Sequence, residues 1–149
     1  MNPRLHVVRI RPGAMLPTYA SAGSAGLDLS ACLDEPIVLA PGARALVPTG
    51  LVLGLPEGHE GQVRPRSGLA FRHGVTVANA PGTIDEDYRG ELKVLLVNLG
   101  DAAVTITPGD RVAQLVVAPV SRVVCSELGD VAELADTERG DRGFGSTGR

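Results

Sequence analysis

Three stretches of this chain gather residue types that handle anions and protons. Residues 64–70 read Arg-Pro-Arg-Ser-Gly-Leu-Ala. Arg66, the Ser67 hydroxyl and the Gly68 amide can converge on phosphate oxygens where a strand turns, because glycine removes the side chain that blocks close backbone approach. On its own the triplet also fits a solvated arginine beside a turn. Residues 79–90 read Asn-Ala-Pro-Gly-Thr-Ile-Asp-Glu-Asp-Tyr-Arg-Gly. Pro81-Gly82 is the pair that a type II turn takes at its central positions. A hairpin is therefore expected, with Asn79 before the turn and Asp85 on the returning strand. Uracil presents acceptor, donor, acceptor along its pairing edge, and an Asn amide with open backbone groups can match that order. Without such a ligand, Asp85, Glu86 and Asp87 are a solvated acidic turn.

The third stretch is the end of the chain, residues 136–149, Asp-Thr-Glu-Arg-Gly-Asp-Arg-Gly-Phe-Gly-Ser-Thr-Gly-Arg. Almost nothing in it can be buried, and its composition is that of a mobile tail. Only four residues of the chain are aromatic, and Phe144 stands between two glycines where it cannot join a core. It is either incidental there or a flat surface for a base. Its neighbours Arg139, Arg142, Ser146 and Thr147 favour the base, since they supply guanidinium and hydroxyl donors for phosphates. A tail that orders over ligand acts as a lid.

These groups need a frame. The 149 residues fit one domain with a substantial core. Aromatics are 3% against 44% hydrophobic residues, so the core must be aliphatic. Glycine (19) and proline (11) are abundant, which favours short strands and tight turns over long helices. Apolar runs of strand length cover residues 5–10, 37–39, 45–47, 51–55, 61–64, 75–78, 92–98, 104–106 and 111–117. Short strands at such spacing predict an all-β sandwich or jelly roll. The run from Leu92 is nearly continuous and reads as a central strand covered on both faces. Residues 127–134 allow one helical turn. The domain is expected to span 1–135 and the tail 136–149.

Net charge is −3, which gives no basic footprint for nucleic acid. Of the 14 cationic residues only Lys93 is a lysine. That skew reflects either coding bias or phosphate binding by guanidinium forks. Cys32 and Cys125 lie far apart with no CxxC, so no zinc site is expected. The first residues carry Pro3 and Pro12 and no signal-like apolar run, and no stretch is long enough to span a membrane. A soluble, reducing, cytoplasmic setting is expected.

Five segments in order resemble the motifs of homotrimeric dUTPases. They are Ala25-Gly26-Leu27-Asp28-Leu29, the Pro-Arg-Ser-Gly-Leu-Ala segment, the Asn79 to Gly90 stretch, Gly109-Asp110-Arg111-Val112-Ala113-Gln114-Leu115, and the tail from Arg139. Together they cover residues 25–148. One position departs from the pattern, Arg142, where the family usually has glycine. The resemblance implies a jelly roll with a flexible Gly-rich C-terminal tail, and three copies building sites at their interfaces. It implies hydrolysis of dUTP to dUMP and diphosphate by water attack on the α-phosphorus, which limits uracil in DNA and supplies dUMP for thymidylate synthesis.

By matching position, Asp85 is implied as the general base; carboxylates in water are charged at neutral pH and can accept a proton. Asn79, Gly82, Thr83 and Ile84 would form the uracil reader, and Tyr88 would pack beneath the deoxyribose where a 2′-hydroxyl has no room. Arg66, Ser67, Gly68 and Gln114 would hold phosphates. Arg139, Gly145, Ser146 and Thr147 would close over the γ end, with Phe144 capping the uracil. Mg²⁺ would be held mainly by substrate phosphates. Asp28 would orient metal-bound water or a neighbouring arginine, or else serve a turn. Lys93 is either a substrate contact or a surface lysine. Two rivals remain. A dCTP deaminase of the same fold would need a glutamate on the following strand and paired serines, where this chain has residues 94–97 without a carboxylate. A non-catalytic nucleotide-binding regulator would have no need of Asp85, Tyr88 and Phe144 together.

The tail reading gives a first expectation. Stacking a base on an aromatic ring contributes about 1–3 kcal/mol, or roughly 5- to 150-fold. Phe144→Ala should weaken catalysis within that range and leave the thermal midpoint of the ligand-free protein unchanged. Steady-state kinetics beside a thermal melt checks both halves.

Overall fold

A computed structural model of the chain describes residues 3–143. In chain order the strands are β1 (His6–Arg9), β2 (Thr18–Tyr19), β3 (Leu27–Ser30), β4 (Ile37–Leu39), β5 (Arg44–Gly54), β6 (His59–Arg64), β7 (Val75–Val77), β8 (Gly82–Ile84), β9 (Glu91–Asn98), β10 (Val104–Ile106) and β11 (Arg111–Pro119). One short helix, α1 (Ser67–His73), lies between β6 and β7. The strands form a sheet β1-β5-β9-β7, a second sheet β2-β3-β11-β6-β8 and a pair β10-β4. Every pairing is antiparallel. The all-β class is as expected.

The two larger sheets close on one core. Leu51, Val94 and Leu96 from one sheet meet Leu29, Val63 and Leu115 from the other, with Leu39 and Ile106 from the small pair. No aromatic ring belongs to this cluster among the described residues. Burial of each large aliphatic side chain contributes about 1.5–3 kcal/mol, so the fold rests on many medium-sized side chains.

Several local expectations need correction. Residues 45–47 and 51–55 are not two strands: β5 runs through both with a register shift between Pro48 and Leu51. Gly50 takes φ 68° there, and the bulge absorbs the proline and glycine that look like terminators. Strand β9 is central in its sheet but covered on one face only. Leu92, Val94, Leu96 and Asn98 are buried, whereas Lys93 is exposed and Leu95 and Val97 are partly covered. Strands β7 and β8 are not a hairpin, since β7 pairs with β9 and β8 with β6 in the other sheet. The chain between them crosses from one sheet to the other. Its turn is not type II: the Ala80–Pro81 peptide is cis, and Gly82 lies outside the left-handed region that type II requires. Strands β2 and β3 and helix α1 had no clear sequence signal.

Regular structure in the body ends at Pro119, and residues 120–143 are exposed throughout. The composition boundary at 135/136 falls inside this stretch. Within it a single 3-10 turn, Val131–Glu133, forms where one helical turn was expected. A capping box holds it: the Asp130 carboxylate accepts from Ala132 N at 2.8 Å and Glu133 accepts from Asp130 N at 3.0 Å.

Buried polar groups are few, and Asn98 is the most connected. Its Nδ2 donates to the carbonyls of Leu39 (2.9 Å) and Ala102 (2.8 Å), while its Oδ1 accepts from Gly100 N (2.9 Å). It thereby ties β4 and the β9–β10 turn to the central strand. Asn98→Ala leaves all three backbone groups without this partner. A loss of about 2–4 kcal/mol is expected. Urea unfolding at fixed protein concentration should show a lower midpoint with an unchanged slope.

Candidate functional site

Asp28 organises the first half of the site. It lies on β3 opposite Gln114 of β11. Its Oδ1 is 3.2 Å from Arg66 Nε and its Oδ2 is 3.1 Å from Arg111 Nη1. Arg66 also donates from Nη1 to the Arg111 carbonyl at 3.2 Å. Arg66 is the N-cap of α1 in extended conformation, and no side chain caps the helix. The first amides of α1, from Ser67 and Gly68, therefore lack the intrahelical partners that later turns possess. These donors line one cleft of about 350 Å³ together with Gly26, Asp28 and Gln114. Arg72, which the sequence reading passed over, lines it too.

Gln114 is placed by what Gly26 lacks. A Cβ on Gly26 would lie 2.3 Å from Gln114 Oε1 and 3.1 Å from its Cβ, so only glycine leaves room for the amide. The Gln114 Nε2 donates to the Pro65 carbonyl at 3.0 Å, which fixes the approach to α1. Cationic and amide donors with one neutralising carboxylate make an anion cradle, suited to phosphate oxygens.

The second half follows the sheet crossing. The Asn79 amide packs over Gly82, where a Cβ would come within 3.1 Å of Nδ2. Thr83, Ile84, Asp85, Tyr88 and Lys93 line a cleft of about 410 Å³. Asp85 is the first residue after β8, not on it. Its carbonyl accepts from Tyr88 N at 3.1 Å and closes a turn. Arg89 clamps that turn from outside, donating to the carbonyls of Glu86 (2.7 Å) and Tyr88 (2.9 Å). Tyr88 donates its hydroxyl to the Glu91 carbonyl at 3.1 Å.

The carboxylates here divide by engagement. Glu86 accepts from Gly58 N at 2.8 Å and pairs with Arg122 at 3.0 Å. Glu91 accepts from Gly50 N at 3.0 Å and pairs with Arg11 at 3.1 Å. Asp85 is exposed, and its carboxylate meets no hydrogen-bond or ion-pair partner among the described residues. Lys93 is 3.8 Å from Glu91, too long for a tight pair.

The sequence-derived residues thus assemble as two groups. Arg66, Ser67, Gly68, Gln114 and Asp28 share one cleft; Thr83, Ile84, Asp85, Tyr88 and Lys93 share another, with no lining residue in common. Arg139 is apart from both, its Nε donating to the Arg142 carbonyl at 3.0 Å. Arg142 returns a bond to the Arg139 carbonyl and another to that of Glu138, so this departure from the glycine pattern builds a local turn. Phe144, Gly145, Ser146 and Thr147 lie outside the described residues. Among the described residues no three His, Cys, Asp or Glu side chains gather as a metal cage. Asp28 already holds two guanidinium groups. Such a donor set fits a magnesium ion carried by a ligand's own phosphates, which needs few protein ligands.

The family model described as dUTPase matches residues 13–148. A deoxyuridine 5'-triphosphate nucleotidohydrolase of Anaeromyxobacter sp. is 63% identical, with 93% of this chain and 90% of that protein covered. The Staphylococcus bacteriophage 80alpha dUTPase, solved with dUPNHPP, superposes with a TM-score of 0.84 at 26% identity, covering 98% of this chain and 99% of that one. A mutant dUTPase from phage phi11 of S. aureus, whose structure details coordination of a structural Mg(II) ion, reaches 0.78 at 23% identity over 86% and 98% of the two chains.

The Asp28 bridge generates an expectation about position against affinity. Asp28→Asn removes a negative charge from the cleft, which favours anions, but loosens Arg66. Asp28 is partly shielded and its two guanidinium partners are partly exposed; with a Coulomb gain of about 1 kcal/mol or less, binding of inorganic tripolyphosphate should change by less than about fivefold. Misplacing a contact by 1 Å costs up to about 10² in rate. Turnover should therefore fall about tenfold or more. Calorimetric titration beside steady-state kinetics separates the two; equal losses in both would assign Asp28 a simple binding role.

Proposed function

The chain belongs to the dUTPase family, and from that premise we propose that it hydrolyses dUTP to dUMP and diphosphate with Asp85 as the general base. The observation that carries the assignment is the exposed Asp85 carboxylate lining one cleft with Tyr88; Glu86 of the same turn is engaged elsewhere, and Asp87, also exposed, does not line that cleft. Asp85 accepts a proton from water as that water attacks the α-phosphorus. Asn79 and the backbone around Gly82, Thr83 and Ile84 read the uracil edge. Tyr88 lies under the deoxyribose. Arg66, Ser67, Gly68 and Gln114 hold phosphate oxygens and orient the chain of phosphates for in-line departure of diphosphate. Magnesium, when bound to the phosphates, would offset charge on the leaving group, and Asp28 orients the neighbouring Arg66 and Arg111.

The active site is assembled from three copies of the chain. Two features support this reading. The phosphate cleft and the Tyr88 cleft are separate within one chain. The stretch after Pro119 carries apolar residues with nothing of their own chain to cover them, Val123, Val124 and Val131 among them. That stretch delivers the tail, with Arg139, Phe144, Gly145, Ser146 and Thr147, to a neighbouring site as a lid. Residues 1–135 are the catalytic β domain. No helix among the described residues is long and apolar enough to cross a membrane, both cysteines are free, and we place the enzyme in the cytoplasm.

Asp85→Asn should keep nucleotide binding and slow hydrolysis by roughly 10²–10⁴-fold. Mixing these chains with chains truncated after Asp136 should restore part of the activity, because some mixed sites combine an intact base with an intact tail. Near-normal turnover by the single variant would remove Asp85 from the chemistry. A fully active monomer by light scattering would end the three-copy reading.

A further inference from the structure

We propose that Gly90 is a specificity-determining positioning residue: its missing side chain is the slot in which the Tyr88 ring lies. This deepens the reading of Tyr88 as the surface beneath the sugar and rests on it. A Cβ built on Gly90 would stand 2.2 Å from Tyr88 Oη, 2.5 Å from Cζ and 2.8 Å from Cε2. All three nearest atoms belong to that one ring.

Glycine is not required at this position for its backbone. The φ of Gly90 lies outside the left-handed region, so an L side chain meets no conformational penalty there. Other glycines of the chain differ. Gly50, at φ 68°, serves a bulge, and a Cβ on Gly74 would strike the backbone of Gly100 at 2.3 Å. At Gly90 the obstacle is a side chain, and a side chain that lines the candidate site.

The ring is part-exposed but anchored at its tip. Its hydroxyl donates to the Glu91 carbonyl at 3.1 Å, and Tyr88 N is tied to the Asp85 carbonyl at 3.1 Å. Glu91 is itself held, its carboxylate accepting from Gly50 N and pairing with Arg11. The ring therefore folds back along its own chain, spans Gly90 and docks on a fixed carbonyl. A methyl group at residue 90 must swing it off that carbonyl and away from the sugar position. The Tyr88 hydroxyl bonds the Glu91 carbonyl and not the Asp85 carboxylate, so the chemistry on dUTP depends on this slot less than the choice of sugar does.

The test is a double-mutant cycle with wild type, Gly90→Ala, Tyr88→Ala and the double variant, each assayed for kcat/KM on dUTP and UTP and for its thermal midpoint. Gly90→Ala should narrow the dUTP/UTP ratio about tenfold or more and lower the midpoint. On the Tyr88→Ala background the same substitution should change neither quantity, because the atoms it strikes are gone. If Gly90→Ala does not fold, the double variant still should; failure of both would overturn the proposal. So would an unchanged ratio in Gly90→Ala, or an equal effect with and without Tyr88. An unchanged ratio in Tyr88→Ala alone would instead refute the sugar-screening role itself, and the slot with it.

Discussion

The Glu91 carboxylate is the interaction on which most of the surrounding structure depends. Its side chain is 11% exposed and joins three parts of the chain. One oxygen receives the Gly50 amide at the bulge of β5 and the Arg11 guanidinium that follows β1. The residue's own carbonyl receives Tyr88. A carboxylate this far from water must be hydrogen-bonded to be tolerated, and the bulge supplies the amide that does it. The register shift in β5 is thus more than an irregularity. It turns one amide toward Glu91, while Thr49 donates to the Leu92 carbonyl at 2.6 Å and locks the same place from the other side. Strand pairing, bulge and aromatic ring are held as one unit.

The same logic sorts the other acidic groups. Where a carboxylate meets guanidinium or amide donors it builds: Asp28 sets Arg66 and Arg111, and Glu86 fastens the Gly58 turn to Arg122. Where it meets none, as at the exposed Asp85 and Asp87, it builds nothing. Charge-assisted hydrogen bonds stabilise by about 1.5–3 kcal/mol each. A carboxylate left out of such bonds gives up that local stability. The place of Asp85 in a turn clamped by Arg89 keeps it in position without touching its oxygens.

The sequence made the fold class and the candidate residues of a site legible, but not how either is built. Alternating and continuous aliphatic runs located most strands because burial on a sheet face has period two. Strand β10 was found at its full extent, residues 104–106. Pro48 and Gly50 misled because the same residues end strands and make bulges, and only the partner strand distinguishes the two. The Pro81-Gly82 pair read as the centre of a hairpin turn since local sequence cannot say which sheet receives the next strand. Leu95 and Val97 suggested a face that one chain leaves partly open. Helix α1 has only seven residues and no buried side chain, so no apolar periodicity announced it. The site residues were visible as types in order. Arg89, Gly90 and Glu91 were passed over because what they supply is geometric: a clamp, a slot and a carbonyl in a fixed place.

Lys93, on the outward face of β9, carries a practical consequence. It is the one lysine of the sequence, its side chain is 42% exposed, and it lines the cleft of Asp85 and Tyr88. Amine-directed chemistry on most proteins spreads over many surface lysines. Here every such reagent has a single side-chain target, and that target borders the cleft of Asp85 and Tyr88. Coupling to an activated surface or a dye ester through side-chain amines would modify the molecule at that cleft. A cysteine-directed attachment, with Cys125 exposed on the stretch beyond Pro119, leaves that cleft open.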